Sequence, residues 1–179
     1  NAEELERMGK MIADMLFLAK ADNDLVVPHL ETVDLRAEAE ALASFYEAVA
    51  EENGVTLTVE GNATAGGDRL MLRRAIGNLL SNAFGHTPRG GYVRVRIGVQ
   101  GDRIATIAVE NSGEAIPPEH LPRLFDRFFR TDPSRKRLAE GVGLGLAITR
   151  SLIQAHGGVA SVRSAKGVTV FELQIPLGP

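Results

Sequence analysis

The sequence has 179 residues, of which 44% are apolar, with 20 basic and 23 acidic side chains and no cysteine. That length accommodates one domain of about 150 residues plus an appendage, and a pI of 5.8 excludes a global attraction to nucleic acid or anionic membrane surfaces. Without cysteine there are no disulfides or thiolate metal sites, and no apolar run approaches the roughly 20 residues that span a bilayer, so the chain reads as soluble.

The N-terminal stretch reads as a helix, because Leu5, Met8, Met11, Ile12, Met15, Leu16 and Ala19 form an apolar stripe at helical spacing, with Glu4, Arg7, Lys10 and Asp14 off it. Such a stripe fits either a helix docked on its own domain or one paired with another chain in a bundle. Residues 22–30 lose the period and contain Pro28, which marks a linker, with a boundary near Val33. Asp34 can cap a second helix whose apolar face carries Leu35, Ala39, Leu42, Phe45, Tyr46 and Val49, and Asn53-Gly54 is a stop signal. Val55, Leu57 and Val59 alternate as in a half-buried strand.

A third helix starts near Asp68, buries Leu72, Ala75, Ile76, Leu79, Leu80 and Ala83, and ends at Thr87-Pro88. Residues 92–100 and 103–110 read as strands of a hairpin turning at Gly101-Asp102. Residues 111–143 then form a long irregular stretch with a short helix near 119–125. Arg127, Arg130, Arg135, Lys136 and Arg137 crowd it, as expected for a mobile cationic lid. A helix over 146–156, stopped by Gly157-Gly158, and strands over 159–163 and 168–175 close the chain. This order lacks the strand-helix-strand rhythm of a doubly wound parallel sheet, and a mixed or antiparallel sheet covered by helices fits better.

Two segments carry phosphate chemistry. Gly141, Gly143 and Gly145 run directly into a helix, so unhindered backbone can approach a phosphate where the N-terminal amides point outward. The run is neither a Walker loop nor a dinucleotide fingerprint, since Leu146 stands where the third glycine of the latter would be. Tight helix packing would explain the same glycines. Asn78 and Asn82 lie four apart, hence on one face of an otherwise apolar helix, where a carboxamide oxygen suits magnesium shared with nucleotide phosphates. Structural amides bonded to backbone would place them there too.

Taken together, Asn78 to Ala83 looks like the N box, Asn111-Ser112-Gly113 a variant first glycine box, Leu124 to Phe129 the F box, and Gly141 to Gly145 the second glycine box of sensor histidine kinases. The wording around Met11, Val109 and Leu121 is similar to the heavy-metal and copper-responsive branch. This resemblance implies a two-layer α/β sandwich, with a mixed, largely antiparallel sheet on one side and helices on the other, holding ATP under the lid. Residues 1–22 would be part of the second helix of a dimerisation and phosphotransfer hairpin, 23–33 the linker, and 34–179 the ATP-binding catalytic domain. The resemblance thus favours bundle packing for the first helix.

The resemblance also implies roles. Asn82 would coordinate magnesium and Asn78 support the site. Arg130 and Arg135 would reach the phosphates, and Gly141, Gly143 and Gly145, followed by Leu146, would hold them by backbone. His86 would contact phosphate or water, Asn111 and Gly113 would meet the adenine side, and Phe125 and Phe128 would anchor the lid. The γ-phosphoryl group would pass to a histidine on the other hairpin helix of a homodimer and then to a response regulator, with no nucleic acid involved. The setting would be the cytoplasmic part of a bacterial inner-membrane protein. None of the four histidines, His29, His86, His120 and His156, stands in the acceptor context.

Three positions depart from the family. Asn111 replaces an aspartate, Ala115 a glycine, and Gly85 a lysine or arginine. The competing reading is an ATP hydrolase of the related gyrase, chaperone and mismatch-repair group, which resemble one another in a glutamate base four residues before the magnesium asparagine. That position is Asn78 here, which cannot take a proton at neutral pH. A nucleotide-binding pseudokinase is the other alternative. Magnesium with nucleotide is expected, and no bound copper or zinc.

Overall fold

The computed structural model describes residues 1–130 and 143–177. It runs α1 (Ala2–Asp22), β1 (Glu31–Asp34), α2 (Leu35–Glu52), β2 (Thr56–Gly61), β3 (Thr64–Gly67), α3 (Arg69–His86), β4 (Tyr92–Gln100), β5 (Ile104–Ser112), a single 3-10 turn (Leu121–Arg123), α4 (Gly145–Ala155), β6 (Val159–Ala165) and β7 (Val168–Pro176). Five strands form one sheet in the order β2-β4-β5-β7-β6, in which β2 and β4 are parallel and every other pair is antiparallel. This is the mixed, helix-covered sheet expected from the sequence.

The inner face of the sheet follows from strand alternation. Val93, Val95 and Ile97 on β4 and Ala105, Ile107 and Val109 on β5 all point to one side, where they are buried against α3 and α4. On the opposite face Tyr92, Arg94 and Arg96 converge on the buried carboxylate of Glu110, which accepts a 2.8 Å bond from the Tyr92 hydroxyl. That bond and burial raise the Tyr92 pKa.

All six residues expected to bury α3 are buried, and Asp68 caps it by accepting from the Met71 N–H at 3.1 Å. Asp34 likewise caps α2 through Ala37 N–H, and Gly54 at φ 62° follows the Asn53 stop. Phe45 departs from the expected buried face of α2, being 78% exposed. It sits at the margin of the stripe, and Tyr46 turns inward instead to stack on Phe84 at 5.2 Å. The two-stranded sheet formed by β1 and β3 was not expected, and β1 takes up the end of the stretch read as linker.

Two further expectations change in the irregular stretch. Strand β5 continues through Asn111 and Ser112, because both residues pair with Val168 and Thr169 of β7. The short helix near 119–125 contracts to the 3-10 turn, with Pro122 at its start.

Helix α1 lies along the domain on a stripe of its own. Leu18 is buried, and Asp14 and Asp22, one turn to either side of it, pair with Arg74 at 2.8 Å and Arg127 at 2.6 Å. Most of the apolar stripe read from the sequence faces elsewhere, with Leu5, Met8, Ile12, Met15 and Leu16 exposed, while Met11 packs partly buried against the core. Among the described residues, no helix is long and apolar enough to cross a membrane.

Candidate functional site

Between α3, α4 and the edge of α1 lies a cavity of about 380 Å³, within the size range of small-ligand pockets. Helix α3 contributes Arg74, Asn78, Asn82 and His86, four residues spaced by four and therefore stacked on one face. Helix α4 contributes Gly145, Leu146 and Ile148, and Gly143 and Arg130 come from the segments on either side of residues 131–142. Apolar lining comes from Ile116, Leu124, Phe129 and Phe171.

The start of α4 is arranged to receive an anion. Its N-cap is Leu144, which offers no side-chain bond, so among the described residues no side chain caps the first-turn amides. A Cβ built on Gly145 would meet nothing within 4 Å, which removes tight packing as the reason for glycine there and leaves room beside the cavity. Gly143 is different. It has φ 82°, and a Cβ would come within 2.9 Å of the Phe128 backbone, whose N–H donates to the Gly143 carbonyl at 2.9 Å.

Across the cavity, the Asn78 amide nitrogen donates to the Gly145 carbonyl at 3.2 Å and to Thr149 Oγ1 at 3.3 Å. The N-box helix is thereby tied to the glycine-bounded helix. The Tyr46 hydroxyl bonds Ser81 beside the cavity, and burial raises the tyrosine's pKa against that bond.

The structure brings Asn78, Asn82, His86, Arg130, Gly143, Gly145 and Leu146 to one cavity. Asn111 and Gly113 are not among its lining residues. Asn111 is buried on β5 with its amide nitrogen donating to the Ser112 carbonyl at 3.2 Å, and Gly113 abuts the His86 carbonyl at the end of α3. Arg135 and Gly141, and most of the expected lid, fall outside the described residues.

Phe125 is buried, with its ring edge-on to Phe171 at 6.0 Å. Phe128 is half exposed at φ 64°, whereas Phe129 packs between His120 and Arg123 while lining the cavity. Lys10, Asp14 and Arg74 were missed as lining residues. Their signal was the spacing of Lys10, Asp14, Leu18 and Asp22 on α1 and of Arg74 with the two asparagines on α3.

An uncapped helix start facing a pair of carboxamides and basic side chains, over a mixed sheet, defines a nucleotide-phosphate-binding α/β sandwich. Residues 67–179 match the family described as histidine kinase-, DNA gyrase B-, and HSP90-like ATPase, and the chain belongs to that family.

The chain is 49% identical over 98% of its length to the sensor histidine kinase CusS of Escherichia coli strain K12, covering 37% of it. It is 44% identical over 97% of its length to the probable sensor kinase SilS of Salmonella typhimurium, covering 36% of it. It thus spans little more than a third of these curated relatives. Among solved structures, full-length ShkA in complex with AMPPNP is similar with a TM-score of 0.85 and 25% identity, over 97% of this chain and 36% of that one.

Proposed function

We propose that this chain is the ATP-binding kinase portion of a two-component sensor histidine kinase of the heavy-metal-responsive branch. The observation that carries the proposal is the convergence of three separate motifs on one cavity: Asn78 and Asn82, Arg130 beyond the F box, and Gly143 and Gly145. The likeness to CusS and SilS supports the branch. In this reading residues 1–22 are part of the dimerisation hairpin, 23–33 the linker and 34–179 the catalytic domain, on the cytoplasmic side of a bacterial inner membrane. The exposed apolar stripe of α1 supports pairing with further helices in a homodimer.

Phosphoryl transfer asks the protein for alignment and charge neutralisation more than covalent chemistry. The α4 amides and Gly143 would seat the phosphates, and Arg130, with Arg135, would neutralise them. Asn111 and Gly113 would serve the adenine side. Magnesium would enter with the nucleotide and neutralise phosphate charge, and the oxygens of Asn82 and Asn78 are neutral, hard donors that suit it. An imidazole nitrogen on the acceptor helix would attack the γ-phosphorus, ADP would leave, and the phosphoryl group would pass to a response regulator. A hydrolase reading is not favoured, since Asn78 offers no base and its amide nitrogen is engaged by α4.

The test is reconstitution with γ-labelled ATP. The chain alone should remain unlabelled, and adding a hairpin fragment that carries the acceptor histidine should yield acid-labile, alkali-stable phosphate on that fragment. Phosphate on any of the chain's own four histidines, or ATP hydrolysis without transfer, would contradict the proposal.

A further inference from the structure

Thr149 is polar yet wholly buried in α4, one turn beyond Gly145 and next to Ile148, both of which line the cavity that Thr149 itself does not line. Its hydroxyl proton is committed to the Gly145 carbonyl, four residues earlier, at 2.9 Å. A carbonyl only accepts, and a hydroxyl whose proton is already donated offers its neighbour only a lone pair. Asn78 touches both of these atoms, at 3.2 Å and 3.3 Å. Two acceptors side by side admit only the NH2 end of the carboxamide. The oxygen is therefore the end left for the cavity that Asn78 lines.

We infer that Thr149 is a positioning residue that locks the Asn78 carboxamide with its oxygen toward the nucleotide cavity, making that wall an acceptor for a hard cation or its hydration water. The inference rests on the kinase reading and adds to it a residue of the second glycine-box helix that never touches nucleotide. Without the hydroxyl, Asn78 keeps one anchor, the Gly145 carbonyl, and its amide can turn. The oxygen is then no longer held where a cation needs it. A structural role for Thr149 would need only its shape, which valine reproduces.

The experiment compares wild type, Thr149→Val and Thr149→Ser. One measurement follows solvent exchange of the Asn78 side-chain amide protons by NMR in the free protein, where no nucleotide is involved. The other measures AMPPNP affinity with MgCl2 and with EDTA, the ratio giving the magnesium-dependent gain. Thr149→Val should speed amide exchange by about tenfold and cut the magnesium-dependent gain by about fivefold, leaving affinity in EDTA unchanged. Thr149→Ser should stay within about twofold of wild type on both. Thr149→Ala supplies the same test should the valine protein not fold.

Unchanged Asn78 exchange in Thr149→Val overturns this inference alone, as does an equal loss of gain in the valine and serine variants. A magnesium-dependent gain that survives faster exchange overturns it as well. A wild type that binds no AMPPNP refutes the kinase reading and takes the magnesium step with it.

Discussion

The two glycines flanking Leu144 make opposite demands, and replacing each by alanine separates fold from ligand. At Gly145 there is open space and no positive φ, so Gly145→Ala should stabilise the free protein by about 0.4–1 kcal/mol through the unfolded chain, raising Tm by about 1–4 °C. The same methyl projects beside the uncapped start of α4, where it displaces a phosphate oxygen from a backbone amide. A hydrogen bond to a charged group is worth about 1.5–3 kcal/mol, so ATP affinity should fall about ten- to a hundredfold, with adenosine affinity little changed.

Gly143→Ala should do the reverse to the fold. An alanine in the left-handed region costs about 1–2 kcal/mol, and its Cβ would press on the Phe128 backbone, so Tm should drop. Thermal melts and calorimetric titration with ATP and adenosine read both variants. A Gly145→Ala protein that binds ATP within twofold of wild type would show that the phosphates do not lie at the start of α4.

Three further outcomes are expected. Asp14→Asn removes a negative charge from the cavity wall and releases Arg74. ATP affinity should rise about fivefold, from an interaction of about 1 kcal/mol, less so in high salt, and an equal change for adenosine would show that Asp14 does not face the phosphates. Asn82→Ala should leave a folded domain whose nucleotide binding no longer gains from magnesium, and a gain equal to that of wild type in a titration with MgCl2 would remove Asn82 from the metal site. Burial tends to raise the Asp68 pKa, but the N–H groups of His29 and Met71 and the charge of His156 outweigh it and hold it below the ordinary carboxylate value. Its contribution is therefore present above that value and lost as pH falls through the depressed one. Asp68→Ala should cost about 1 kcal/mol at pH 7, and denaturant melts should show the deficit shrinking below about pH 4; a deficit that stays constant with pH would refute the assignment.

What could be read from the sequence was whatever periodicity encodes. The six buried residues of α3 form an unbroken apolar stripe, so helix, face and caps were all legible, and β4 and β5 were legible as a hairpin, although β5, buried from Ile107 to Asn111, does not alternate as β4 does. Strand β3 was not legible, because four residues ending in Gly66-Gly67 carry neither alternation nor β-branched enrichment, and β1, only four residues long, exists by pairing with it. Phe45 misled because helical spacing does not tell the margin of a stripe from its centre. Phe128 and Phe129 are adjacent in a segment without period, where only tertiary packing decides which ring goes inward. Lys10 and Asp14 look like solvated positions on an amphipathic helix. That they line a cavity depends on Leu18 docking α1 against the domain, a long-range contact that local pattern does not contain.

The central claim is that this cavity binds ATP as a kinase domain does, with magnesium. Calorimetric titration of the chain with AMPPNP, with and without MgCl2, tests it most directly. The account predicts one nucleotide per chain, tighter binding when magnesium is present, and a matching rise in Tm. No heat and no thermal stabilisation in either condition would contradict it.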